Sequence, residues 1–178
     1  NKNIDVCVQI WGTLSELGAD RKSLFINLGG GVIGDMGGFI ASTFKRGIDF
    51  INIPTTLLSQ VDASVGGKVG IDLNHLKNEV GVFNNPKAVF VNSAFLSTLD
   101  ERQVLSGFAE IIKHALIADA MYWQKVMKVD LEDLDMLDKL IETSVRIKNK
   151  VVMLDPQEYS VRKTLNFGHT IGHAIETC

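Results

Sequence analysis

The stretch SLFINLGGGVIGDMGGFIASTF, residues 23–44, is the most informative part of the sequence. Its first six residues form a short apolar run, which is typical of a buried strand, and three glycines follow at once. The glycines lead into small and apolar residues that predict a helix. A strand, a glycine turn and a helix in this order form the unit that cradles phosphate at a helix N-terminus. The stretch therefore predicts an α/β fold with a nucleotide-binding loop.

The glycine turn also matches a dinucleotide-binding pattern. Gly29, Gly31 and Gly34 satisfy G-x-G-x-x-G between a predicted strand and a predicted helix, where glycines let a phosphate approach the backbone N–H groups. However, three consecutive glycines make an accidental match easy, and no second strand ends in an acidic residue at the expected distance. Asp35 has a structural alternative, because an acidic side chain on the first turn of a helix stabilises the helix dipole. The loop alone leaves dinucleotide binding and a structural turn equally open.

Predicted elements on both sides of this unit give the domain organisation. Residues 4–18 predict an amphipathic helix, and residues 49–54 and 88–92 predict two more strands. Two long segments, 94–127 and 131–154, carry apolar residues at helical spacing. Strands alternate with helices only in the first part of the chain. We therefore predict a Rossmann-like, nucleotide-binding α/β domain at residues 1–97, followed by an all-helical metal- and substrate-binding domain at 98–178, both truncated.

Composition and charge exclude several classes of protein. The 178 residues are 46% hydrophobic, which suits a globular protein with a packed core. The net charge of -3 provides no basic field, so nucleic acid is not an expected partner. No apolar stretch is long enough to cross a membrane, and the first ten residues lack the long apolar run of a signal peptide, so we expect neither feature in this sequence.

The cysteines and the chain ends add two expectations. Cys7 and Cys178 lie far apart and in no CxxC pattern, so neither a disulfide framework nor a thiolate metal site is expected, and a reducing cytoplasm fits best. The final helix has barely begun at Cys178, with no Gly or Pro stop signal after it. We therefore expect the chain to be a fragment of a longer protein.

The segment 55–85 is too polar for a core and too varied for a linker, which is typical of a segment that lines a site. Thr55 and Thr56 follow a strand end, where hydroxyls meet ligands in α/β sheets, although they could equally cap the next helix. Three more polar residues could form a cationic floor for phosphate or carboxylate, or be solvated loop charges. These are Lys68, Lys77 and Asn78.

Two residue pairs on predicted helices include candidate metal ligands. Glu110 and Lys113 share a helix face close to its apolar stripe, although such i,i+3 pairs are normally weak surface ion pairs. His169 and His173 would project from one side of a helix, which suits a metal or an anion, but also a buried, hydrogen-bonded pair. A carboxylate and two histidines can hold zinc with an open position. The glutamate of H-E-x-x-H is absent, so peptide hydrolysis is not indicated.

Six stretches, in order and along nearly the whole chain, closely resemble the 3-dehydroquinate synthase family. They are GGGVIGDMGGFIAS, FKRGI, PTTLLSQVDASVGGKVGID, KNEVGVFNNP, GFAEIIKHALIAD and RKTLNFGHTIGHAIE. The resemblance implies a lyase of the shikimate pathway, and hence of aromatic amino acid biosynthesis, that uses NAD and a divalent metal ion, zinc or cobalt. It would convert 3-deoxy-arabino-heptulosonate 7-phosphate to 3-dehydroquinate and phosphate, with NAD reduced and reoxidised in each turnover. Related sugar-phosphate cyclases share several of these stretches.

The resemblance also implies roles for individual residues. Glu110 and His169 match metal ligands, whereas His173 matches a catalytic histidine near the substrate phosphate. The residues that match NAD contacts are Gly31, Val32, Ile33, Gly34, Asp35, Thr55, Thr56, Lys68, Lys77, Phe95, Leu96, Ser97 and Thr98. The other candidate catalytic residues match substrate contacts and are Asp62, Lys68, Asn78, Lys113, Lys148, Arg162, Asn166 and Arg46, the last donated across a dimer interface.

The family pattern is not matched everywhere, and other functions stay open. Leu76 stands where the family usually has glycine, and a third metal ligand, a further lysine and the adenosine-ribose site would lie outside this chain. The chain alone is thus expected to be inactive. The resemblance implies a cytoplasmic homodimer whose small-molecule partner is a sugar phosphate. The alternatives are another sugar-phosphate cyclase, a metal- and NAD-dependent polyol dehydrogenase, and a non-enzymatic binding module.

Overall fold

The structure, a computed structural model, describes residues 2–74, 76–131 and 133–176. The helices are α1 (Ile4–Glu16), α2 (Gly31–Thr43), α3 (Glu101–Ala118), α4 (Ala120–Val126), α5 (Leu134–Leu154) and α6 (His169–Glu176). The strands are β1 (Leu24–Gly29), β2 (Asp49–Pro54), β3 (Lys68–Leu73), β4 (Leu76–Phe83) and β5 (Ala88–Val89). Shorter helical turns span Phe44–Arg46, Ser59–Ala63, Ser93–Thr98 and Val161–Asn166. In these parts of the chain, none of the helices has the length and apolar character needed to cross a membrane.

A small parallel sheet confirms the α/β prediction. Its strand order is β1–β2–β5, with Leu24 opposite Asp49 and Gly29 opposite Pro54. Because the strands are parallel, the carboxyl ends of β1 and β2 meet at one edge, where ligands bind in such sheets. The backbone N–H of Thr55 donates to the carbonyl oxygen of Gly29 at 3.0 Å, so the glycine turn and the polar segment after β2 lie together.

Helix α2 packs on one face of this sheet. Asn27 and Asn52, on neighbouring strands, are buried beneath it and joined by a 2.9 Å side-chain hydrogen bond. A Cβ atom added to Gly37 would lie 1.8 Å from the Asn27 Oδ1 atom, so the helix approaches closely because it has glycine there. The buried apolar core around α2 consists of Cys7, Met36, Phe39, Ile40, Ala41, Phe44, Ile48, Phe50, Val69 and Ile71.

The structure differs from the predicted elements in two places. Segment 55–85 contains an antiparallel hairpin, β3–β4, with Lys68 opposite Phe83; its polar and glycine-rich composition hid these strands. The predicted long helix at 94–127 is instead a turn followed by α3 and α4. Asp119 separates these helices, because its carboxylate accepts hydrogen bonds from the N–H groups of Met121 and Tyr122 and so caps α4.

A second apolar core lies among the helices after residue 97. It contains buried side chains from α3, α4 and α5, and also Leu57 and Val61 from the segment that follows β2. That segment therefore packs against the helical part of the protein, which brings the end of the parallel sheet next to α3. The predicted domain boundary near residue 97 stays a prediction.

Gly107 determines how closely α3 approaches the segment after β2. A Cβ atom at this position would lie 2.5 Å from the backbone nitrogen of Leu58 and 2.6 Å from the Leu57 Cβ atom. A backbone atom can move only if the chain around it shifts, which costs free energy. We therefore expect Gly107→Ala to destabilise the protein by about 1–3 kcal/mol. Thermal and urea denaturation would measure this as a lower melting temperature and a lower midpoint.

Gly12, inside α1, provides the matched control. A Cβ atom there has no neighbour within 4 Å. We expect Gly12→Ala to raise stability by up to about 1 kcal/mol, because alanine is the better helix former. Similar melting temperatures for the two variants would contradict the tight approach of α3.

Candidate active site

A cavity of about 570 Å³ lies between the β3–β4 hairpin and the segment after β2. Residues from α3, α5 and the turn Val161–Asn166 also line it. It brings together polar residues that are far apart in the sequence. The candidate residues that line it are Asp35, Asp62, Lys68, Asn78, Lys113, Lys148, Arg162, Asn166 and His169. The fold thus gathers most of the expected substrate contacts around one space, while their individual roles stay predictions.

Helix α3 supplies Glu110 and Lys113, which form an ion pair at the cavity. Lys113 is 6% exposed, and its Nζ atom donates to the Glu110 Oε2 atom. On the other side of the carboxylate, the His169 Nε2 atom lies 4.0 Å from the Glu110 Oε1 atom. In the tetrahedral geometry that zinc prefers, two atoms that each bind it at about 2.0–2.2 Å lie about 3.3–3.6 Å apart. Glu110 and His169 are therefore within about 0.5 Å of the separation that a shared metal ion requires, and a small side-chain movement would bring both to one ion.

Helix α5 contributes a second buried ion pair. The Lys148 Nζ atom donates to the Asp62 Oδ1 atom and to the Asp62 carbonyl oxygen, each at 2.6 Å. Burial lowers the pKa of Lys148, although the Asp62 carboxylate opposes this shift. Burial raises the pKa of Asp62, but the positive charges of Lys148 and Lys113 outweigh it, so the net shift is downward. Asp62 is thus a carboxylate at neutral pH.

Arg162 is a fixed cation at the cavity wall. It is 2% exposed, and its Nη1 and Nη2 atoms donate to the carbonyl oxygens of Pro156 and Gly66 at 2.6 and 3.0 Å. The guanidinium carbon lies 5.9 Å from the centre of the Phe83 ring. Gly66 is required here, since its φ is +105° and a Cβ atom would lie 2.5 Å from Nη2. The hydrogen-bond partners of its guanidinium are uncharged carbonyl groups, while its positive charge also contributes to lowering the pKa of nearby Glu158.

Glu158 is part of the site, although the sequence analysis did not identify it. Its carboxylate accepts hydrogen bonds from the Lys68 ammonium and, at 2.8 Å, from the Asn166 amide. Burial raises the pKa of Glu158, but the hydrogen bonds from Lys68 and Asn166 prevail and lower it. Its partner Lys68 is 90 residues away in the sequence, so no local sequence pattern indicates the contact between Lys68 and Glu158.

Lys2 was missed for a similar reason. Its Nζ atom donates to the Asp35 Oδ2 atom at 2.7 Å and to the Asn78 side chain. Burial raises the pKa of Asp35 in spite of this contact. Lys2 therefore joins the first turn of α2 to the β3–β4 hairpin at one end of the cavity.

His114 is a third residue that the sequence analysis did not identify. It is completely buried, with its Nδ1 atom 2.7 Å from the Ser144 hydroxyl and its Nε2 atom without a hydrogen-bond partner among the described residues. Burial lowers its pKa to about 4, so the imidazole is neutral at neutral pH. Potential ligand atoms of Asp62, Glu110 and His114 lie within 4.8 Å of one another, which makes them a second candidate metal-binding group.

Most predicted NAD contacts lie outside the described lining of the cavity. Gly31, Val32, Ile33 and Gly34 form the first turn of α2 directly after the strand and the glycines, as expected. The Thr56 hydroxyl accepts a hydrogen bond from the Ser59 N–H at 3.2 Å, so this side chain caps the helical segment that follows it. The other predicted contacts away from the described lining are Thr55, Lys77 on β4 and the turn residues Phe95, Leu96, Ser97 and Thr98.

Two of the other candidates are placed differently. Arg46 is an exposed residue of the turn Phe44–Arg46 and lies away from the described lining of the cavity. The side chain of His173 lies outside the described residues, so its expected role near the substrate stays a prediction, as does that of Arg46. Cys7 is a buried free thiol, whereas Cys178 lies outside the described residues.

The fold is that of solved sugar-phosphate cyclases. It matches a 2-deoxy-scyllo-inosose synthase solved with carbaglucose-6-phosphate, NAD+ and Co2+ (TM-score 0.88, 30% identity, 99% of this chain and 49% of that chain). It also matches a 2-epi-5-epi-valiolone synthase from Streptomyces hygroscopicus solved with NAD+ and Zn2+ (TM-score 0.88, 26% identity, 98% and 50%). An iron-containing alcohol dehydrogenase shares the fold at 15% identity (TM-score 0.64, 83% and 48%).

Within this class, the chain belongs to the 3-dehydroquinate synthase family. The family's N-terminal model matches residues 1–106, and its C-terminal model matches residues 107–178. The 3-dehydroquinate synthase of Parabacteroides distasonis is 54% identical over 99% of this chain and 51% of its own length. That of a Sulfurovum species is 51% identical over 98% of this chain and 50% of its own length. The chain therefore spans about half the length of these curated relatives.

Proposed function

We propose that the intact protein containing this chain is a 3-dehydroquinate synthase, which converts 3-deoxy-arabino-heptulosonate 7-phosphate to 3-dehydroquinate and phosphate. The observation that carries this proposal is the cavity, where buried Lys113, Lys148 and Arg162 converge with the Asp62 carboxylate. Fixed cations beside carboxylates suit a substrate that has phosphate, carboxylate and several hydroxyl groups. The 54% identity to a 3-dehydroquinate synthase supports this substrate in particular.

We propose that NAD and a divalent ion, zinc or cobalt, complete the site. The strand, glycine turn and helix at residues 24–43 suit a pyrophosphate, and Glu110 and His169 fit a common ion. When bound, these two groups supply the reversible oxidation of a secondary hydroxyl. The solved cyclases with NAD+ and Zn2+ or Co2+ support this assignment.

The chain's own residues would bind and orient the substrate. Arg162 and Lys68, with the Asn166 amide, are placed to hold the dianionic phosphate, which would compete with Glu158 for the Lys68 ammonium. Lys113 and Lys148 are also buried at the cavity, and their ammonium groups could donate to the substrate's hydroxyl and carboxylate oxygens. The Asp62 carboxylate, kept ionised by these lysines, can accept a hydrogen bond from a hydroxyl group.

We also propose the assembly and location that the family resemblance implies. Arg46 would reach the site of the partner in a homodimer, which its exposure and its distance from the described lining of its own cavity support. The protein would work in the cytoplasm. Gel filtration with light scattering would contradict the dimer if the intact protein had the mass of one chain.

The reaction is tested by comparing phosphate release with NADH formation. We expect the intact protein, supplied with NAD and zinc or cobalt, to release one phosphate per 3-deoxy-arabino-heptulosonate 7-phosphate without net NADH absorbance, because the hydride returns to the product. A polyol dehydrogenase would form NADH stoichiometrically. A panel of other sugar phosphates would identify a different cyclase, since the preferred substrate would then release phosphate faster. The 178-residue chain, assayed alone, is expected to be inactive.

A further inference from the structure

One buried carboxylate organises the loop between α5 and the turn Val161–Asn166. Asp155 follows the last residue of α5 and is 6% exposed. Its Oδ1 atom accepts the N–H of Tyr159 at 2.9 Å, and its Oδ2 atom accepts the N–H groups of Ser160 and Arg162 at 2.6 and 3.1 Å. Three backbone N–H groups within residues 156–162 are therefore hydrogen-bonded to the Asp155 carboxylate.

This loop carries two charged groups to the cavity. Both the backbone and the side chain of Arg162 are fixed by hydrogen bonds. Its backbone N–H donates to the Asp155 carboxylate, and its guanidinium donates to the carbonyl oxygens of Pro156 and Gly66. Glu158 lies within the loop, with a left-handed φ of 62°, and its carboxylate meets Lys68 and Asn166. A non-glycine residue keeps such a conformation only where its surroundings enforce it.

The backbone N–H of Asp155 ends α5 by donating to the Val151 carbonyl oxygen, but the described hydrogen bonds of its side chain all go to the loop. A carboxylate at a helix C-terminus faces the negative end of the helix dipole, which is an unfavourable place for it. Asp155 is also not among the described residues that line the cavity, and its carboxylate accepts hydrogen bonds from three backbone N–H groups of the loop and, at 3.4 Å, from the Ser160 hydroxyl. Hydrogen bonds to an ionised acceptor are stronger than those between neutral groups.

We propose that Asp155 is a positioning residue that fixes the loop 156–162 and so presents Arg162 and Glu158 to the phosphate end of the cavity. The part of this inference that concerns the substrate rests on the proposed function. The part that concerns the loop does not, because it follows from the contacts of Asp155 alone.

Asp155→Asn in the intact protein tests both parts. The amide keeps the size of the side chain but turns an NH2 group toward N–H donors, so the loop loses acceptors. We expect the amides of Tyr159, Ser160 and Arg162 to exchange with solvent at least tenfold faster. We also expect the KM for the sugar phosphate to rise at least tenfold, by more than kcat falls, while the Kd for NAD stays within twofold. Hydrogen exchange with mass spectrometry or NMR, steady-state kinetics and calorimetry give these values.

Asp138→Asn is the matched control, because it makes the same change at an exposed position of α5, and we expect it to alter none of these values. If Asp155→Asn does not fold, Asp155→Ser replaces it, since the smaller side chain removes the carboxylate without placing an NH2 group against the N–H groups of the loop. An unchanged KM, protected loop amides, an equal loss of NAD affinity, or failure of both variants to fold would overturn the proposal. If the wild-type protein releases no phosphate, the proposed function fails, whereas hydrogen exchange still tests the loop.

Discussion

Lys113→Ala in the intact protein is expected to lower kcat/KM for phosphate release by about 10³-fold, a loss typical of removing one preorganised charged donor from an active site. Lys113 is 6% exposed, and its ammonium group donates to Glu110 on the same helix. Helix α3 therefore fixes this group at the cavity, largely out of contact with solvent. The variant loses a donor to the substrate and also leaves a partly buried carboxylate without its cation. Both effects act on the same reaction, since Glu110 is the candidate metal ligand.

Assays of released phosphate at saturating NAD and metal would measure this effect. Lys125→Ala provides the control, because Lys125 is an exposed lysine on the neighbouring helix α4 and lies away from the described lining of the cavity. We expect it to retain full activity. The melting temperature of each variant would separate a catalytic loss from unfolding. Near-normal phosphate release by a folded Lys113→Ala variant would refute the role given to Lys113.

The two oxygens of Glu110 have different neighbours, which links Lys113 to the metal site. Lys113 donates to Oε2, whereas Oε1 faces the Nε2 atom of His169 at 4.0 Å. An ion between Oε1 and His169 would therefore leave the Lys113 contact in place. Lys113 would then orient the carboxylate, as groups around metal ligands commonly do. This arrangement predicts that Lys113→Ala weakens metal binding less than a change of Glu110 itself.

Local sequence patterns predicted the elements whose periodicity is strong. The strand β2 has the predicted bounds, and the predicted helices at 4–18 and 131–154 differ from α1 and α5 by no more than a few residues. The β3–β4 hairpin was missed because glycine and polar residues interrupt its apolar positions, and its stability comes from cross-strand pairing that local sequence does not show. The break at Asp119 was missed because apolar spacing continues through it.

Which residues line the cavity could not be predicted from their spacing in the sequence. Lys148 meets Asp62 across 86 residues, and Lys68 meets Glu158 across 90 residues, so no local pattern connects these partners. The family resemblance identified Lys148, Asp62 and Lys68, because it compares whole motifs rather than neighbouring residues. It did not identify His114, whose importance depends on complete burial and an unpartnered nitrogen. Such properties exist only in the folded protein.

Glu110→Gln is expected to weaken binding of zinc or cobalt to the intact protein by at least 100-fold. A glutamate oxygen is a strong zinc ligand, whereas a neutral amide is a poor one, and the change also leaves the buried Lys113 ammonium without its counter-charge. Metal content after dialysis against buffered free metal would measure the affinity independently of turnover. A chelator should likewise abolish phosphate release by the wild-type protein, and added zinc or cobalt should restore it. Glu142→Gln, an exposed change on α5, is expected to bind metal normally.

A further pair of variants separates the two candidate metal-binding groups, both of which contain Glu110. If the ion lies between Glu110 and His169, His169→Gln loses metal affinity and His114→Gln retains it within a few-fold. The reverse result would place the ion with Asp62 and His114, whose ligand atoms lie within 4.8 Å of that of Glu110. We expect the first outcome, because Lys148 already neutralises Asp62 and its charge opposes a divalent ion beside His114. Metal affinity unchanged in Glu110→Gln would contradict both assignments, since Glu110 is common to them.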